Sequence, residues 1–162
     1  MPDLVINTGP VIALTAAVES LEFLQELYSE ILIPFEVIQE LEAESVNCAE
    51  LVAVKNCPVI QAITDKIELP LLLHSQLDTG EASVIQNALV HQITTVVIDE
   101  KLGRRMARLN GLQVTGSIGI LVRAFKAALI PDLNNCFNRM HEKGVWISET
   151  LKKQALDAVK LD

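Results

Sequence analysis

Several carboxylates in this sequence fall where they could do chemistry. Asp99 and Glu100 follow the apolar run "TTVVI" with no intervening turn, Asp78 and Glu81 open the segment "DTGEAS", and Glu36 and Glu40 stand one helical turn apart. Carboxylates gathered at one edge of a fold can hold hard divalent cations, which prefer oxygen ligands. Each pair also has a structural use. Asp78 and Glu81 have the spacing of a capping box, with Asp78 as N-cap and Glu81 reaching back to its backbone N–H. Glu36 and Glu40 suit a solvated acidic face, and Glu40, nearer the apolar stripe of Val37 and Leu41, is the one expected to turn inward. Asp99 or Glu100 suits the N-cap of a helix starting at Lys101. Acids fill 21 of the 162 positions, so placement alone does not separate the two uses.

Two further stretches bear on the chemistry. The first apolar run ends at Asn7-Thr8-Gly9-Pro10, with an asparagine where a carboxylate would be expected. In "KLGRRMARL", Lys101, Arg104, Arg105 and Arg108 fall on one helix face and Leu102, Met106 and Leu109 on another. A phosphodiester backbone would find cations there with metal-holding anions beside them, although a plain solvated face has the same pattern. Other features carry less. Thr8-Gly9-Pro10 lacks the lysine of a phosphate loop, the three histidines lack zinc spacing, and no Gly-x-Ser-x-Gly elbow is present. Trp146 is expected to pack the C-terminal helices.

These residues need elements to position them. Strands are predicted at 4–6, 31–33, 59–63, 95–98 and 112–115. Helices are predicted at 11–28, 34–43, 80–91, 101–109, 118–128, 133–142 and 149–160. Such alternation, with strands apolar on both faces, predicts an α/β fold: a central, mainly parallel sheet of about five strands in a three-layer α/β/α sandwich. In such sheets the site lies beyond the carboxyl ends of the strands, near a topological switch point. Asn7-Thr8, Asp99-Glu100 and Thr115-Gly116-Ser117 occupy those places.

The bulk numbers fit. A chain of 162 residues suits a single domain, and with 4% aromatic residues its core must be aliphatic. No signal peptide or bilayer-length apolar segment is read, and Cys48, Cys57 and Cys136 suit free thiols, so a cytoplasmic protein with no membrane contact is expected. The net charge of −8 argues against holding nucleic acid by general electrostatics, yet it leaves room for divalent cations or a basic protein partner.

Taken in order, "VINTGPVIAL", "ILIPFEVIQELEAE", "LDTGEASVIQNAL", "VVIDEKLGRRMARLNGLQVTGSIGIL" and "LIPDLNNCFNRMHEKGVWIS" resemble the PIN-domain family, in its prokaryotic branch related to VapC-type toxins. The resemblance covers most of the chain. It implies a Mg²⁺- or Mn²⁺-dependent endoribonuclease with RNA as substrate, a toxin–antitoxin setting with an antitoxin protein as partner, and a homodimer. Carried over residue by residue, the metal ligands would be Asn7, Glu40, Glu81 and Asp99, with Glu100 as the alternative to Asp99. Glu40, Glu81 and Asp99 would be the catalytic carboxylates. Thr8 and Thr115 would offer hydroxyls to the scissile phosphate, and Arg104 would hold the flanking backbone. Asn7 departs from the aspartate usual in the wider family. Its amide offers a neutral oxygen but neither charge nor base, which leaves three carboxylates, enough for one Mg²⁺. The alternative is a catalytically silenced module that keeps the fold and binds RNA or a protein partner. A phosphoacceptor receiver domain would need an acidic pair after the first strand and a lysine after the last, and neither is present.

Overall fold

Residues 3–160 are described by a computed structural model. The apolar runs form β1 (Asp3–Ile6), β2 (Glu30–Ile33), β3 (Ile60–Ala62), β4 (Thr95–Val97) and β5 (Gln113–Thr115). They make one sheet in the order β3-β2-β1-β4-β5, and every pairing is parallel. The chain winds outward from β1 to β2 and β3, then crosses back to start β4 on the other side of β1. The switch point therefore lies between the carboxyl ends of β1 and β4.

Nine α-helices connect and cover the strands among the described residues. They are α1 (Thr8–Val18), α2 (Phe35–Glu44), α3 (Ala49–Asn56), α4 (Leu71–Gln76), α5 (Thr79–Val90), α6 (Lys101–Leu109), α7 (Ser117–Lys126), α8 (Leu133–Glu142) and α9 (Glu149–Lys160). Right-handed crossovers place the connection from β1 to β2 on one face and that from β4 to β5 on the other. Accordingly α1 packs on α3, α7 and α8, while α5 packs on α4, α6 and the strands β1 and β4. The core is aliphatic, with Leu4, Ile6, Leu14, Ile31, Ile33, Ile85, Ile98 and Ile120 fully buried. No helix is long and apolar enough to cross a membrane among the described residues.

The α/β fold with a central parallel sheet is as the sequence predicts, with differences at the element ends. The helix predicted over 11–28 starts earlier, at Thr8, and ends at Val18, with a 3₁₀ turn at Glu22–Glu26 following it. Glu19 adopts a φ of 69°, which an α-helix cannot continue. Two helices escape the sequence reading. In α3 only Leu51, Ala53 and Val54 are buried, and α4 leaves Leu71 and Leu72 exposed, so neither shows a regular apolar stripe.

Candidate functional site

The carboxyl edge at the switch point is built from residues far apart in sequence. Asn7 directly follows β1, and its backbone N–H donates to the Val97 carbonyl of β4 at 3.1 Å. It occupies the N-cap position of α1, but its side chain makes no cap hydrogen bond. The residue is only 6% exposed and its Oδ1 has no hydrogen-bond partner among the described residues. A buried acceptor left unpaired is uncommon and costly enough to need a reason. The next hydroxyl, Thr8 Oγ1, donates to Glu40 Oε2 on α2. Glu40 lies against Gly80 in the first turn of α5, where a Cβ would sit 2.7 Å from Oε2. The carboxylate thus meets the positive end of that helix.

Glu81, one residue on, is 6% exposed. Burial pushes its carboxyl above the usual range, and the charges of Asp78, Glu100 and Glu40 push the same way. The Asp78 backbone N–H pulls against them. Asp78 is indeed the N-cap, its Oδ1 accepting from the Glu81 N–H at 2.8 Å, so capping and an inward-facing Glu81 coexist. Glu81 Oε1 approaches α6 so closely that a Cβ on Gly103 would stand 2.8 Å from it.

Asp99 and Glu100 part company. Asp99 turns to the start of α7, accepting from the Ser117 N–H at 2.8 Å and the Ser117 hydroxyl at 2.9 Å. The N-cap bond expected from this pair at the start of α6 is not made; Asp99 is held instead by the first residue of α7, whose N-cap position is Gly116. Glu100 holds the N-cap position of α6 without a side-chain cap bond, and its charge acts on Glu81. Arg104 donates from Nη1 to the Ile98 carbonyl at 2.8 Å. Its guanidinium is half-buried, and it feels Arg108 as a repelling and Asp99 as an attracting charge. Thr115 ends β5, with its Oγ1 2.8 Å from the Cβ position of Gly119. Asp99, Glu100, Arg104 and Thr115 all line one cavity of about 750 Å³. A smaller cavity of about 530 Å³ lies at the opposite, amino end of the sheet around Asp3, Glu30 and His91, away from this cluster.

Two expectations need correction, those for Glu36 and for Trp146. Glu36, expected on a solvated face, is 2% exposed; its Oε1 accepts from the Ile67 N–H at 3.1 Å, while Glu40 is half-buried. On α6 the apolar Leu102 and Leu109 are exposed, and the buried positions are Gly103 and Ala107. The small residues win because α6 must lie close to Glu81 and Ile98. Trp146, expected to pack between helices, is 81% exposed.

Sequence reasoning passed over the glycines and the role of Ser117. One signal was there: a glycine inside "KLGRRMARL" costs helix stability, so a close approach was the reason to suspect. Among the described residues, no three His, Cys, Asp or Glu side chains form a ready cation cage. The oxygen set present is mixed: the orphaned Asn7 amide oxygen, and buried Glu81 with the charges of Asp78, Glu100 and Glu40 acting on it. It fits a hard cation that takes one or two carboxylates and keeps its waters.

A family model described as a PIN domain matches residues 3–161, so the chain belongs to the PIN-domain family. Proteins of this family are generally nucleases that use divalent metals. No curated protein matches the chain.

Proposed function

We propose that this PIN-domain chain is a Mg²⁺- or Mn²⁺-dependent endoribonuclease working at the carboxyl edge between β1 and β4. One observation carries the reading: burial first, and then the charges of Asp78, Glu100 and Glu40, raise the carboxyl of Glu81 at the edge where Asn7 Oδ1 lacks a partner. Repelling carboxylates and an unpaired oxygen both cost stability, and a cation would relieve both. Asn7, Glu40, Glu81 and Glu100 would hold it, with Asp99 adding its remaining lone pairs. A bound divalent ion supplies a water of lowered pKa and offsets charge on the phosphate.

The other roles belong to the chain itself. The Thr8 hydroxyl orients Glu40, and the Asp78 cap fixes the start of α5 and with it Glu81. Asp99 holds the start of α7 and sits beside Arg104, whose guanidinium would meet a backbone phosphate. Thr115 offers a hydroxyl to the same strand. The exposed Lys101, Arg105 and Arg108 would take flanking phosphates. The resemblance to VapC-type toxins supports a toxin role, with an antitoxin protein as partner and a homodimer as the working form. The charge of −8 suits a basic partner.

The test is cleavage of a labelled RNA in Mn²⁺, with EDTA and Glu81→Gln as controls, alongside calorimetry of Mn²⁺ binding. Cleavage lost in both controls supports the reading; neither cleavage nor ion binding in the parent rejects it. A second reading, a silenced module that binds RNA or protein without turnover, is favoured by Asn7 itself. It is supported if Asn7→Asp binds Mn²⁺ and the parent does not. Glu81→Gln discriminates more cleanly than Asp99→Asn, because Asp99 also holds the first residue of α7.

A further inference from the structure

The C-terminal approach to the site contains an aromatic side chain that nothing above uses. Helix α8 ends in a Schellman turn: Gly144 takes a φ of 80°, and the Val145 N–H donates to the Met140 carbonyl at 2.9 Å. The chain then runs past Trp146 into α9. Val145 is half-buried and Ile147 buried, whereas Trp146 between them is exposed. Its neighbours anchor the segment on either side, so the indole is held outward by the backbone.

That indole lines the same cavity as Asp99, Glu100, Arg104 and Thr115. The cavity has two kinds of wall. Ile118, Val122, Leu151 and Trp146 itself supply apolar lining, and the site residues supply polar lining. At about 750 Å³ it is in the size range of small-ligand pockets. A nucleotide has the same division, a flat base joined to a charged sugar-phosphate.

We propose that Trp146 is a stacking platform for one unpaired base of a single-stranded RNA, adjacent to the phosphate held at the carboxyl edge. The inference rests on RNA being the ligand, as the proposed function has it. Charge argues for it. A chain with 21 acids against 13 lysines and arginines gains little from general attraction to a polyanion. Its affinity must come from contacts that do not depend on net charge, and base–aromatic stacking is such a contact. A duplex keeps its bases stacked inside and cannot use the platform.

Trp146 is the single tryptophan of the chain, so emission reports on this position alone. The experiment uses full-length protein in EDTA, titrated with a single-stranded RNA decamer and with the same strand in a perfect duplex. Saturable change of emission with the single strand and none with the duplex is expected. By anisotropy of a labelled strand, Trp146→Ala should bind roughly five- to a hundred-fold more weakly, the range base stacking accounts for. Trp146→Phe should recover most of the affinity, and neither variant should alter the melting temperature. Unchanged emission with the single strand, or Trp146→Ala binding as tightly as the parent, overturns the proposal. So does a dimer that sediments as monomer in Trp146→Ala with RNA affinity intact, because the face would then be an interface between copies. RNA binding with the expected emission change but no cleavage in Mn²⁺ supports the platform while rejecting the nuclease.

Discussion

Asp99 accepts two hydrogen bonds from a single residue, the Ser117 N–H at 2.8 Å and the Ser117 hydroxyl at 2.9 Å. The end of β4 is thereby tied to the start of α7, and a carboxylate that chemistry would claim is largely spent on structure. Ser117→Ala removes one of the two bonds and should lower stability by about 1 kcal/mol, since Asp99 itself is exposed and solvent replaces part of the loss. Urea unfolding measures it. Mn²⁺ affinity should change less than in Glu40→Gln, and the reverse order would make Asp99 the principal ligand.

Gly103 and Gly9 predict opposite outcomes for the same substitution. A Cβ on Gly103 would lie 2.8 Å from Glu81 Oε1 and 2.9 Å from Ile98 Cγ2, while at Gly9 nothing lies within 4 Å. Gly103→Ala should cost about 1–3 kcal/mol through overpacking, less what alanine returns in helix propensity, and should weaken metal binding by moving Glu81. Gly9→Ala, in the first turn of α1, should leave both unchanged or raise stability slightly. Thermal melts of the two variants, with and without Mn²⁺, separate close packing from propensity.

The raised carboxyl of Glu81 sets a pH dependence. Its native value lies above its unfolded one, so between the two the native chain holds a proton that the unfolded chain has released. Stability therefore falls as pH rises through that window and stays reduced above it. Glu81→Gln should be more stable than the parent at pH 7, with the difference closing below the unfolded value. Added Mn²⁺ should raise the parent's melting temperature and leave that of Glu81→Gln nearly unmoved. A variant less stable than the parent at pH 7 would show that the Asp78 N–H outweighs burial and repulsion.

Asn7→Asp puts a fourth charge at a buried position. Without metal the variant should melt lower than the parent, because a buried carboxylate near like charges is unfavourable. With Mn²⁺ the order should reverse, the aspartate binding at least ten-fold more tightly by calorimetry. If the aspartate is neutral in both conditions, Asn7 does not face the ion.

The sequence makes the sheet legible because its strands are buried on both faces, and buried parallel strands are written as unbroken apolar runs. The strand-end positions of Asn7, Thr8, Asp99, Glu100 and Thr115 follow from those runs. What the sequence hides is direction. Asp99 and Glu100 are neighbours, but one turns to α7 and the other's charge reaches Glu81, a division set by where helices from other parts of the chain begin. Glu36 is hidden for the same reason, since its partner at Ile67 lies in a loop with no pattern of its own. Trp146 misleads because a large aromatic residue beside helical segments is usually core, and the alternation of Val145, Trp146 and Ile147 is too short to read as a period.

The order of the strands has a consequence for how the protein comes into being. Thr8 meets Glu40 across 32 residues, and Asp99 meets Ser117 across 18. The central strand β1 is the first made, yet its neighbour β4 arrives only after two crossovers have closed on the far side. No shorter fragment contains the edge, and each contact waits on loop closure. During synthesis the carboxylates emerge scattered along a growing chain, and Asp99 gains its contact with Ser117 only once residue 117 has left the ribosome. Until then the chain carries the acids without the site.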